Sequence, residues 1–136
     1  MNKVIFLFLF ISLSGQLFAQ RNTTLNKVML AGKSIYMQRC ATCHQANGEG
    51  APNMIPPLIR TTYVLGNKTR LVGIVLNGLN GEMKVNGNLY GNEMPSLSDL
   101  SDTDVAAVLT FVRNSFGNKA SAVSAEIVKK ARAEKK

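Results

Sequence analysis

The sequence predicts an all-α fold of three to four helices joined by long loops, organised around something other than side chains. Three observations lead there. Apolar residues recur at helical spacing behind capping residues, the stretch from Cys40 to about Leu65 has no period at all, and the helices carry little apolar surface with which to order that stretch. About 90 residues lie between the outer caps, and ordering them costs ~1 to 2 kcal/mol per residue. An additional core component is therefore required.

The 136 residues make one small domain, with sixteen Lys and Arg against eight Asp and Glu and a net charge of +8. Two cysteines within five residues exclude a disulfide scaffold, and a single histidine excludes a multi-histidine metal centre. The chain opens with Met1-Asn2-Lys3 and an apolar run from Val4 to Leu13, then a c-region ending at Ala19. That layout predicts a signal peptide over residues 1–19 and a periplasmic or otherwise exported mature chain, although Leu17 departs from the small-x-small preference at the cut. The sixteen residues from Val4 to Ala19 fall short of the ~20 that a membrane span needs. No Trp and no aromatics among the lysines argue against nucleic acid, so the basic balance points to an acidic protein partner or an anionic membrane surface.

In order along the chain, Thr23 or Thr24 caps a helix to about Arg39, with Leu25, Val28, Met29, Gly32, Ile35 and Tyr36 on one face. Residues 40 to 65 read as ordered loop. Asn67 caps a short helix through Leu71, Ile74 and Val75, stopped by Asn77-Gly78. Met83 to Tyr90 alternates around Asn86-Gly87 and predicts one short β-hairpin. Ser101 and Asp104 form a capping pair ahead of Val105, Val108, Leu109, Val112 and Phe116, with Gly117 as the C-terminal glycine. Residues 118–136 form a basic extension in which Ser124 caps an amphipathic turn or two carrying Ile127, Val128 and Ala131, and the end from Lys129 reads as a solvated tail.

The missing core component has its attachment point in Cys40-Ala41-Thr42-Cys43-His44. Two thiols three apart can add across the two vinyl groups of one haem, and the adjacent histidine then faces the iron. The competing readings are a thioredoxin-like redox pair, half a zinc site and a simple disulfide. The first expects a βαβ surround and the second needs two further Cys or His, and the sequence offers neither. A low-spin carrier also needs a second axial ligand. With His44 already used, the methionines after the signal peptide are the candidates: Met29, Met37, Met54, Met83 and Met94. Met29 and Met37 lie in the first helix, and Met54 is only ten residues past His44. Met94 follows the hairpin and precedes Pro95, which favours an extended backbone, so it is the preferred ligand, with Met83 the remaining candidate.

The motif from Cys40 to His44, the preceding helix with Gly32 and Tyr36, Pro56-Pro57-Leu58, Met94-Pro95 and the helix to Phe116 together resemble a class I cytochrome c over residues 27 to 117. The resemblance implies the cytochrome c fold, with a cytochrome domain over residues 20–117 and one covalently bound haem c. It implies that the first and last helices of that domain cross near Gly32 and Tyr36, with Leu109, Val112 and Phe116 facing them. It further implies that the backbone carbonyl of Pro56 accepts the proton on the outer nitrogen of His44. The segment Val85 to Pro95 and the run from Phe111 to Lys119 are similar to cytochrome domains serving bacterial exported dehydrogenases and terminal oxidases or reductases, with Phe116 standing where Trp is common.

The expected function is therefore one-electron transfer between respiratory or dehydrogenase partners by a single-haem carrier that is not itself an enzyme, with His44 and Met94 as axial ligands. Lys33, Arg39, Lys68, Arg70 and Lys84 are candidates to steer an acidic redox partner, and a membrane-associated complex is a further possible partner. The alternatives are a non-shuttling subunit of a larger oxidoreductase complex, or a haem sensor or peroxidase with an open iron position. The second alternative lacks a spare histidine to assist peroxide cleavage.

Overall fold

The computed structural model describes residues 24–134. The predicted signal peptide over residues 1–19, the possible cap at Thr23 and the last two lysines lie outside the described residues. Helix α1 spans residues 24–39, and Thr24 is already helical. It is followed by α2 (Ala41–His44), α3 (Thr62–Leu65), α4 (Lys68–Asn77), the hairpin β1 (Met83–Val85) and β2 (Asn88–Tyr90), α5 (Asp102–Arg113) and α6 (Ala125–Ala133). None of the described helices is long and apolar enough to cross a membrane.

Local chemistry accounts for most boundaries. Asn67 accepts from the Arg70 amide at the start of α4, and Gly78 ends that helix with φ +73°. Ser101 accepts from the Asp104 amide and donates to the Asp104 carboxylate at 2.7 Å, so the expected capping pair is present at α5. In the hairpin Asn86 and Gly87 both have positive φ, 49° and 89°, as a two-residue turn of the right twist demands. Met83 pairs with Tyr90 and Val85 with Asn88.

Helices α1 and α5 touch backbone to backbone. A Cβ on Gly32 would lie 2.2 Å from the Ala107 carbonyl oxygen and 2.8 Å from Phe111 Cβ. Beside that crossing the fully buried Tyr36 packs against Phe111 and Phe116, with ring centroids 5.5 and 5.2 Å away. The crossing thus falls where expected, but the facing residues are Ala107, Phe111 and Phe116. Leu109 and Val112 lie on the other face of α5 and line a cavity.

Three expectations are corrected. The stretch from Cys40 to Leu65 holds two single-turn helices, α2 and α3, each too short to produce a period. Helix α5 ends at Arg113, not at Phe116. Phe116 has a left-handed φ of 58°, which places its ring against Gly48, where a Cβ would meet it at 2.7 Å. The end of the chain is not a solvated tail up to the last described residues. Helix α6 packs across α4 and α5 with Val128 fully buried, and Arg132 donates to Asp102, Ser98 O and Leu100 O. The segment before α6 is tied in as well. Thr110 Oγ1 accepts from the Val123 amide at 3.0 Å, and the buried Arg113 guanidinium donates to Ser121 O and Val64 O.

Candidate functional site

A single break converts α1 into the site. Cys40 leaves helical geometry at φ −120° while its amide still bonds Tyr36 O at 2.9 Å, and α2 then continues the turn so that the His44 amide bonds Cys40 O. Cys40, Cys43 and His44 are thereby brought to one cavity. The two cysteines form no disulfide with each other. Burial pushes the Cys40 thiol up to about 11, with Arg39 opposing. Cys40 stands between α1 and α2 and Cys43 within α2, with no βαβ unit around them among the described residues, so the surround that a thioredoxin-like pair expects is absent.

The His44 ring is held from behind. Its Nδ1 lies 3.0 Å from Pro56 O, and because a carbonyl only accepts, Nδ1 carries the proton and Nε2 keeps its lone pair. Burial lowers the His44 pKa, opposed by that hydrogen bond, so the neutral ring is favoured. The loop supplying Pro56 folds tightly. The Gly50 amide bonds His44 O at 3.0 Å, and a Cβ on Gly50 would sit 2.3 Å from Ile55 O and 2.8 Å from Pro56 O. Tyr36 Oη also donates to Gln45 O at 2.6 Å, fixing the residue after His44.

Met94 sits in an antiparallel bridge with Leu79, each amide bonding the other's carbonyl at 2.9 Å. Gly78 permits this approach, since a Cβ there would be 2.4 Å from Met94 O. Met94 lines the cavity and packs against the buried core. Met83 lines the same cavity from β1, so the structure brings both methionine candidates to it. Met37 and Met54 are exposed, and neither they nor Met29 line it.

The cavity is about 1170 Å³, counting its open mouth. Its walls are mainly aliphatic, with Leu71, Ile74 and Val75 from α4 and Val108, Leu109 and Val112 from α5. Imidazole, thioether and paired thiols on an apolar wall are the donor set for a covalently held haem. The described residues contain no cluster of three or more His, Cys, Asp or Glu that could hold a bare metal ion. The residues present therefore fit the group that the sequence implied.

Some supporting residues carry no sequence signal. Asn118, 3% exposed, donates from Nδ2 to Leu58 O and Val112 O and accepts from the Arg60 amide, tying the Pro56–Leu58 segment to the end of α5. Arg39, beside Cys40, forms a two-pronged ion pair with Asp99 at 2.8 and 2.9 Å, bridging α1 to the segment after Met94. Val112 apart, their partners lie about 60 positions away, beyond any local pattern.

Comparison with known proteins identifies the family. A family model described as cytochrome c matches residues 29–116. Cytochrome c-552 of Thermus thermophilus is 38% identical over 113 residues, covering 76% of this chain and 86% of that protein. The cytochrome c subunit of the quinone alcohol dehydrogenase of Gluconacetobacter polyoxogenes is 36% identical over 98 residues, 70% of this chain and 20% of the subunit. The fructose dehydrogenase cytochrome subunit of Gluconobacter japonicus is 32% identical over 116 residues, 82% of this chain and 24% of the subunit. The chain therefore belongs to the cytochrome c family, whose cofactor is covalently attached haem c.

Proposed function

We propose that this chain is an exported single-haem electron carrier in which Cys40 and Cys43 form the thioether links and His44 and Met94 are the axial ligands. The observation that carries the reading is the shared cavity, lined by Cys40, Cys43, His44 and Met94 together, with His44 Nδ1 on Pro56 O. When bound, the haem supplies an iron that gains and loses one electron. The chain's own residues do the rest. Pro56 O orients the imidazole and fixes its tautomer, the Leu79 bridge holds the Met94 backbone, and the walls are aliphatic, so His44 and Met94 would hold a bound haem with little rearrangement when one electron is gained or lost.

Residues 1–19 act as the export signal, residues 20–117 as the cytochrome domain, and residues 118–136 as an extension. The partner is a redox protein with an acidic face. Support for that partner comes from the basic balance of the chain, sixteen Lys and Arg against eight Asp and Glu, and from Arg70 over the ring of the cavity-lining Tyr63 at 4.3 Å, whereas Arg39 is paired with Asp99. A second reading, a fixed subunit of a dehydrogenase complex, draws on the relatives named as such subunits. The carrier reading is preferred because the alignment spans 86% of the cytochrome c-552 relative and only about a fifth of the dehydrogenase subunits.

The test is a mass measurement with oxidised and reduced spectra of wild type and two variants. The mature chain is expected near Gln20 with one haem, and Met94→Ala to lose the far-red methionine-to-iron band while Met83→Leu keeps it. A mass equal to the bare polypeptide would end the reading, and loss of the band in Met83→Leu alone would move the ligand to Met83.

A further inference from the structure

We infer that α6 is a strap on the axial-methionine segment and that Arg132, its point of attachment, is a positioning residue controlling how readily Met94 leaves the iron. The inference rests on the assignment of Met94 as ligand and goes beyond it, to a part of the chain that lies outside the family match over residues 29–116.

The segment from Met94 to α5 is anchored at two ends by different elements. At its start the partners all belong to the end of α4 or the residues just after it. Met94 bridges Leu79, Ser96 Oγ donates to Leu76 O at 2.6 Å, and the Leu97 amide donates to Val75 O at 2.9 Å. At its far end one guanidinium takes three acceptors. Arg132 Nε donates to Asp102 Oδ1 at 2.7 Å, Nη1 to Ser98 O at 2.9 Å, and Nη2 to Leu100 O. The base of that guanidinium does not move with the segment, because α6 is fixed on α4 and α5 with Val128 fully buried.

A thioether is an uncharged ligand, and its occupancy depends on how firmly the backbone holds the sulfur in place. For Met94 to withdraw, residues 94–101 must hinge between their α4 anchors and α5, and Arg132 spans that hinge. The Arg39–Asp99 pair acts on the same segment but is the weaker hold, with side chains 35% and 63% exposed, against 31% and 32% for Arg132 and Asp102. Three acceptors at fixed positions also suit a planar fork with several donors and not a single ammonium.

The experiment titrates imidazole into the ferric holoprotein, following displacement of the axial methionine by the Soret shift and the far-red band, with a thermal melt of each variant. Imidazole binds only when the sulfur is off, so its apparent affinity scales with the open population. Arg132→Ala is expected to bind imidazole about fivefold more tightly than wild type, and Arg132→Lys by an intermediate amount. Phe111→Leu, which disturbs the α1–α5 packing away from this segment, is expected to melt lower yet bind imidazole as wild type does. An Arg132→Ala affinity no greater than that of Phe111→Leu overturns the strap and leaves Arg132 an ordinary stabilising contact. Met94→Ala run alongside separates the two ideas. A far-red band absent from wild type, or surviving in Met94→Ala, overturns the ligand assignment and the strap with it, whereas a Met94-dependent band with unchanged Arg132→Ala affinity overturns the strap alone.

Discussion

At the residue scale the site divides into the proposed haem contacts and the groups that hold them. That Cys40, Cys43, His44 and Met94 line one cavity was legible. Cys40, Cys43 and His44 fall within five residues, a spacing that two vinyl groups and one iron require, and Met94 stands out because Pro95 favours an extended backbone before it. The second kind was not, and Asn118 is the clearest case. It follows a glycine past a helix end, where asparagine is unremarkable, while its three partners at Leu58, Arg60 and Val112 are set by tertiary folding. Removing its side chain leaves two carbonyls and one amide without partners in a buried place. Asn118→Ala is expected to cost about 2–4 kcal/mol, since each orphaned buried group costs ~1–3 kcal/mol and water recovers part of it. Urea unfolding of the holoprotein checks this as a lower midpoint with unchanged m.

At the element scale, helices were readable wherever a cap and several turns coincide, as at Asn67 and Ser101. The reading failed where packing overrode a continuing pattern. Phe116 lies four residues after Val112 and prolongs the apolar stripe of α5, yet its ring is worth more against Tyr36, Phe111 and Gly48 than in another helical turn. The α1–α5 crossing gives the sharpest prediction at this scale. A side chain on Gly32 meets the Ala107 carbonyl, which belongs to helix backbone and cannot rotate away. Gly32→Val should therefore push the helices apart at about 3 kcal/mol or more. Ala31→Val, at an exposed position on the same helix, should cost only the ~0.5 kcal/mol of helix propensity. Thermal melts of the two holoproteins compare them, and equal losses would mean that the crossing tolerates separation.

At the scale of the whole molecule, the sequence pointed to a core that the polypeptide cannot complete, and the cavity gives that deficit a shape. Apolar side chains from α3, α4, β1 and α5 and from the loops around Pro56 and Pro95 face a space of about 1170 Å³, its open mouth included, that the chain does not fill. The amphipathic turn behind Ser124 was legible, but its second half was read as a tail because Lys129, Lys130 and Arg132 dominate it, although one buried face is enough to dock the whole of α6. It closes the outer side of α4 and α5 without contributing to the lining. Stability for a domain of this size is only about 5–15 kcal/mol, so apolar walls left facing solvent outweigh what the remaining contacts supply. The Cys40→Ala, Cys43→Ala double variant, prepared free of haem, should keep much of its far-ultraviolet helicity because the caps at Asn67 and Ser101 are local. It should lose its near-ultraviolet signal, bind a dye for exposed apolar surface and melt without a cooperative transition. A sharp melt with no dye binding would mean that the walls collapse onto one another and that the polypeptide completes its own core.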